Sequence, residues 1–85
     1  MRIFEDLEKV LRTEIAVGLG IKSLTPDEDL LQQGILDSLG IMKLIVYIEE
    51  SYGIKIEDEE IIPENFQSLN SMVTFIGLKI QNKQV

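Results

Sequence analysis

Asp37-Ser38-Leu39-Gly40-Ile41-Met42-Lys43-Leu44-Ile45-Val46-Tyr47-Ile48-Glu49-Glu50-Ser51-Tyr52-Gly53 is the stretch that decides the fold. Asp37 and Ser38 both carry a side-chain oxygen that can accept from the free N–H groups of a helix's first turn, and Gly53 is the residue type that ends one. The spacing predicts a helix from Asp37 or Ser38 to Gly53, with Leu39, Met42, Ile45, Val46 and Tyr52 on one broad face. Ile41, Leu44, Tyr47 and Ile48 make its other faces apolar too. Such a helix should be central and covered on more than one side.

Upstream, Ile3, Leu7, Val10, Leu11 and Ile15 follow the period of one helical face, opposite Glu5, Glu8, Lys9 and Arg12, which predicts a first helix from Arg2 to about Leu19. Gly18 and Gly20 stop it. The following IKSLTPDEDLLQQGIL has no sustained period; it reads as a long loop with one helical turn, because Thr25-Pro26-Asp27-Glu28 has the form of a capping box with proline at the first helical position. Downstream, Ile54-Lys55-Ile56 alternates, but no second strand is available to pair with it, so it reads as an extended linker. Asp58 is expected to cap a short helix through Ile62 that Pro63 ends. Ser68 or Asn70 then caps a last helix whose inner stripe is Leu69, Met72, Val73, Ile76 and Ile80.

The expected fold class is therefore all-α: a small four-helix bundle, three main helices plus one short one, with a long loop between helices 1 and 2. At 85 residues the chain holds a single domain, 1–85, and with 45% hydrophobic residues and no cysteine its stability rests on packing alone. The N-terminus mixes charges into its apolar positions, so it is neither a secretory leader nor a membrane span, and the cytoplasm is the expected compartment. A formal charge of −7 and only eight Lys and Arg residues argue against nucleic acid as a partner. Between Asp37 and Glu64, eight acids face only Lys43 and Lys55, so basic protein surfaces are the expected contacts.

Ser38 has three conceivable jobs: nucleophile, cap, or attachment point. Hydrolytic use needs a general base, and the chain has no histidine. Lys43 lies five residues on, on a different face, and GILDSLG does not match the strained Gly-x-Ser-x-Gly elbow. The helix dipole contributes only about 0.3 to 1 kcal/mol at an exposed site, against the 8 or so that enzymatic acceleration demands. Any activation of Ser38 must come from another protein. A helix N-terminus does accept a phosphate well, since its unpaired N–H groups point at it. On the Asp-Ser-Leu tripeptide alone, which is common, simple capping is the favoured reading.

The setting of the tripeptide separates them. Gly34-Ile35-Leu36-Asp37-Ser38-Leu39 resembles the Gly-x-x-Asp-Ser-Leu signature of the acyl carrier protein family, which includes peptidyl and aminoacyl carriers. Ile48-Glu49-Glu50-Ser51-Tyr52-Gly53-Ile54-Lys55-Ile56, the acidic Glu57-Asp58-Glu59-Glu60 and the final amphipathic helix also look like the family's, so the similarity spans nearly the whole chain. The resemblance implies 4′-phosphopantetheine attached to Ser38 through a phosphodiester, with Asp37 helping a phosphopantetheinyl transferase hold magnesium during transfer from coenzyme A. It implies a monomeric, non-catalytic carrier that presents an acyl or aminoacyl thioester to loading and processing enzymes. Leu39, Met42, Lys43, Glu49, Glu50, Glu57, Glu60 and Ile61 would form the surface those partners read. A cargo pocket would be lined by Leu44, Ile48 and Ile61.

Two departures narrow the reading. Carriers of fatty-acid synthesis usually show an acid directly after the Ser-Leu pair and another three residues later, where this chain has Gly40 and Lys43. A lysine there opposes the basic patches of the ordinary fatty-acid enzymes. Together with Ile62-Pro63-Glu64-Asn65-Phe66, this looks closer to stand-alone carriers of specialised pathways, including D-alanyl and other aminoacyl carriers. The competing reading from another class is an unmodified acidic helical interaction module.

Overall fold

The computed structural model describes residues 2–83. Helix α1 spans Ile3–Val10 and buries Ile3, Leu7 and Val10. The helical path continues as a π-helical turn over Leu11–Ile15 and, after Ala16, a 3-10 turn over Val17–Leu19 that closes on Gly20 at φ 66°. The single helix expected to Leu19 is thus three consecutive helical segments. The wider π turn still directs Leu11 into the core, so the apolar spacing could not reveal it.

From Gly20 to Asp37 the chain forms turns without a helix, including the Thr25–Glu28 stretch where a helical turn was expected. One half of the anticipated capping box forms: the Glu28 carboxylate accepts from the Thr25 N–H at 2.9 Å. The Thr25 hydroxyl also donates to that same carboxylate at 3.2 Å. The loop is nevertheless pinned. Leu24, Leu30 and Leu36 are buried in the core. The Leu24 N–H donates to the Glu8 carboxylate at 2.9 Å, the Leu30 N–H to the Gln67 carbonyl at 2.7 Å, and the Asn70 N–H to the Pro26 carbonyl at 2.9 Å.

Helix α2 spans Ser38–Tyr52, with Asp37 as N-cap and Gly53, at φ 64°, as the left-handed C-cap. Both ends lie where capping chemistry puts them. The buried face, however, is Gly40, Leu44, Ile45 and Ile48. Of the five residues expected on the inner face only Ile45 is buried; Tyr52 is half-buried, while Leu39, Met42 and Val46 stand 66%, 55% and 52% exposed. A helix apolar around its circumference offers several possible inner stripes, and packing, not periodicity, selected this one.

Ile54–Ile56 is extended and unpaired, as expected, with Ile54 and Ile56 buried and Lys55 exposed. A 3-10 turn follows at Asp58–Glu60, capped by Glu57 through a reciprocal Glu57–Glu60 box, so Asp58 is the first residue of the turn and not its cap. Pro63 does not end a helix but opens one: α3 spans Pro63–Phe66 with proline at its first position, where the missing N–H costs nothing. Helix α4 spans Leu69–Lys83. Ser68 caps it, accepting from the Ser71 N–H at 3.1 Å. Leu69, Met72 and Ile76 are fully buried, and Phe75 packs on Phe66 with ring centroids 5.8 Å apart. The architecture is the expected all-α bundle, three main helices and one short one, sharing one hydrophobic cluster.

Candidate functional site

Ser38 is held at the head of α2 by two buried neighbours. Before it, Gly34 turns the chain at φ 75°, and the Leu30 carbonyl accepts from the N–H groups of both Ile35 and Leu36, at 3.0 and 3.1 Å, which seats the Leu36 side chain in the core. After it, Gly40 is buried where α2 meets the end of the π turn: an added Cβ would lie 3.0 Å from Ile15 Cγ2 and 3.1 Å from Leu36 Cδ1. Between these two anchors, Asp37, Ser38 and Leu39 are all exposed. The Asp37 Oδ1 accepts from the Gly40 N–H at 2.8 Å, and its carbonyl from the Ile41 N–H at 2.8 Å. By helix geometry the N–H groups of Ser38 and Leu39, the first two of α2, have no carbonyl to meet and face outward beside the serine hydroxyl. The assembly is an exposed hydroxyl at an electropositive helix end, with a carboxylate next to it.

The remaining sequence-derived residues divide into free and occupied. Leu39, Met42 and Lys43 are exposed along α2 on the side of Ser38, and Glu50 is exposed near its far end. Glu49 is half-buried and accepts from the Ile56 N–H at 2.9 Å, tying the extended linker back to α2. The Glu57 N–H donates to Glu60 Oε1 at 2.9 Å, and the same oxygen meets Lys79 Nζ at 2.8 Å. The Lys79 contact foremost, and the Glu57 N–H after it, hold the Glu60 carboxyl below its usual pKa. Ile61 is half-buried against the core, and Leu44 and Ile48 are fully enclosed within it.

Sequence reasoning missed three features. Val46 continues the exposed stripe of Leu39 and Met42, a spacing that was visible but assigned to the inside. Val17 and Leu19 are exposed, although their place in a supposed helix gave no warning, and Leu19 shares a groove with Asp37 and Leu39. Tyr52 donates to the Asp6 carboxylate at 3.3 Å, joining the end of α2 to α1 across a sequence distance that no local pattern encodes. Burial, then Tyr47 and Asp6, push the Tyr52 phenol well above its usual pKa.

An exposed serine hydroxyl at a helix head, beside N–H groups without a carbonyl partner, is an arrangement able to take a phosphodiester. The phosphopantetheine attachment site family matches residues 6–76, and the chain belongs to that family. Its cofactor is covalently attached 4′-phosphopantetheine. Among relatives, an acyl carrier protein of Helicobacter pylori is 29% identical over 76 residues, 89% of this chain and 92% of that one. A D-alanyl carrier protein of Streptococcus equi is 43% identical over 47 residues, 55% of this chain and 60% of that one. Among structures, a holo acyl carrier protein from Nitrosomonas europaea superposes with a TM-score of 0.76 at 27% identity, over 95% of this chain and 99% of that chain. The Bradyrhizobium japonicum glycine:[carrier protein] ligase complexed with its cognate carrier protein gives 0.68 at 26% identity, over 91% and 94%. The protein is an acyl carrier in fold and function. Among the described residues no helix is long and apolar enough to cross a membrane.

Proposed function

We propose that Ser38 is the attachment point and that the protein, itself non-catalytic and monomeric, carries an aminoacyl or short acyl thioester for a specialised pathway. The observation that carries this reading is the exposed Ser38 hydroxyl at the first position of α2, beside N–H groups that the fold leaves without partners. These residues fit the group. A phosphodiester on Oγ would set anionic oxygens against the free N–H groups of Ser38 and Leu39. Because Oδ1 of Asp37 is engaged by Gly40, its Oδ2 is the atom left to meet magnesium in the transferase complex. In the transfer, a Ser38 Oγ–P bond forms as the pyrophosphate bond of coenzyme A breaks; adenosine 3′,5′-bisphosphate leaves, and the hydroxyl proton passes to a base of the transferase. The cofactor supplies the thiol that the chain, lacking cysteine, does not have.

Leu39, Met42, Lys43 and Glu50 form the open part of the partner surface. Glu49, Glu57, Glu60 and Ile61 border it while also holding local structure. Cargo lined by Leu44, Ile48 and Ile61 would require the segment around Ile61 to move off α2, because Leu44 and Ile48 have no exposed surface. A small aminoacyl group needs no such pocket. The D-alanyl carrier relative and the carrier bound to the glycine ligase support that choice of cargo.

Incubation with coenzyme A, magnesium and a broad-specificity phosphopantetheinyl transferase is expected to add one arm by intact-protein mass. Ser38→Ala is expected to add none and to keep its helical circular dichroism. Protein that stays unmodified would favour the acidic interaction module, and a modified Ser38→Ala would move the site elsewhere.

A further inference from the structure

Resting on the assignment of Ser38, we propose that the attached arm lies in the groove between residues 15–19 and the first turns of α2. This groove, of about 340 Å³, has Ala16, Gly18 and Leu19 on one wall and Leu39, Gly40 and Lys43 on the other. Asp37 and Leu39, the residues on either side of Ser38, both line it while Ser38 itself does not, so a chain leaving Oγ crosses the head of α2 to enter. Its volume sits at the low end of the range of small-molecule sites, which suits a slender chain of amides and methylenes.

The lining matches the arm's chemistry. Leu19 and Leu39 are 58% and 66% exposed, an unusual outlay of apolar surface that the dimethyl-bearing segment of pantetheine would cover. Lys43 is exposed and forms no ion pair among the described residues, which leaves its ammonium available to the phosphodiester charge and the amide carbonyls. Gly18 keeps the groove open, since nothing lies within 4 Å of where its Cβ would be. Tethering makes modest affinity sufficient. A short flexible linker holds its end at an effective concentration in the millimolar range, so an intrinsic Kd of about 1 mM fills the groove half the time. The thiol end is thereby stowed on the α1 side of α2, away from the enclosed Leu44 and Ile48.

The test begins with mass spectrometry of the holo protein. Failure to add the arm to Ser38 rejects the attachment assignment, while success leaves the groove to be tested separately. Comparison of apo and holo protein by amide NMR is then expected to shift Gly18, Leu19, Gly40 and Lys43, with nuclear Overhauser contacts from the arm's methyl groups to Leu19 and Leu39. Gly18 is not in the left-handed region and has open space at its Cβ, so Gly18→Leu should fold. It is expected to lose those contacts and the shifts at Gly40 and Lys43, while the mass addition and the shifts at residues 37–39 persist. Holo shifts confined to residues 37–39, contacts to Ile61 instead, or contacts that survive Gly18→Leu would each overturn the proposal.

Discussion

The Cβ that Gly40 lacks would lie 3.0 Å from Cγ2 of Ile15, so the first turn of α2 rests directly on the π-helical turn that follows α1. The position where fatty-acid carriers usually bear an acid is therefore sealed here, and the glycine has a packing reason. Gly40→Asp is expected to cost about 2 kcal/mol or more, because overpacking adds to a buried charge placed beside the Asp37 carboxylate. Thermal unfolding should shift down by about 10 °C in a chain of this size. A variant melting with the wild type would show that the contact yields freely.

Asp37 caps α2, and the proposed attachment at Ser38 would give it a second task, at magnesium, that substitutions can separate from the first. Asp37→Ala removes the cap on Gly40 and is expected to destabilise by about 0.5 to 2 kcal/mol, whereas Asp37→Asn keeps an acceptor and most of the stability. Both lose the anionic oxygen offered to magnesium, and the rate of arm transfer should fall on the order of tenfold in each, a loss comparable to one charge-assisted contact. Transfer kinetics alongside thermal melts distinguish the tasks. An Asn variant modified at the wild-type rate would leave Asp37 with the cap alone.

Glu60 gives the fold a dependence on acid. Its carboxyl is held below its usual pKa by Lys79 first and the Glu57 N–H second, so the charged form is favoured by folding. That contribution is present above the unfolded value of about 4.3 and is lost as pH falls through the lower folded one. Glu60→Gln is expected to be less stable than wild type by about 1 kcal/mol at pH 7, the upper range for a partly exposed pair, with the difference closing below about pH 4. Melting curves at both pH values check it; a gap that persists in acid would point to lost shape instead of lost charge.

The alkaline side is governed by Tyr52. Its phenol is pushed up by burial and by the nearby Tyr47 and Asp6, so folding favours the protonated form. The stabilisation is complete below the unfolded value of about 10 and is lost as pH rises above it. Titration followed by tyrosinate absorbance should show one phenol that ionises only with unfolding. Tyr52→Phe should remove that late step and melt slightly lower at neutral pH, having lost one hydrogen bond worth about 1 kcal/mol.

What the sequence made legible was chemistry local to a few residues. The ends of α2 followed from Asp37 and Gly53 and the cap of α4 from Ser68, because capping depends on neighbouring atoms. The inner face of α2 was not legible, since nearly every side offers an apolar stripe and the choice was made by α1, the leucines of the loop, and the absence of a side chain at Gly40. Pro63 was ambiguous for a related reason: a proline suits the end of one element and the first position of the next, and only the path after Ile62 decides.

The misread face also yields the sharpest contrast between scaffold and surface. Leu39, Met42 and Val46 are exposed one turn apart along α2, whereas Leu44 and Ile48 on the same helix have no exposure. Alanine at any of the first three should change stability by less than about 0.5 kcal/mol, while Leu44→Ala or Ile48→Ala should cost about 2 to 5 kcal/mol. If the exposed stripe is where partners seat, the triple variant Leu39→Ala, Met42→Ala, Val46→Ala will fold, yet the rate at which its Ser38 is modified by the transferase will drop at least tenfold, because these exposed side chains carry little of the fold's own packing. Paired melting and transfer-rate measurements decide it: a triple variant modified at full speed would assign docking to the acidic segment from Glu57 onward, and one that unfolds would return the stripe to the core.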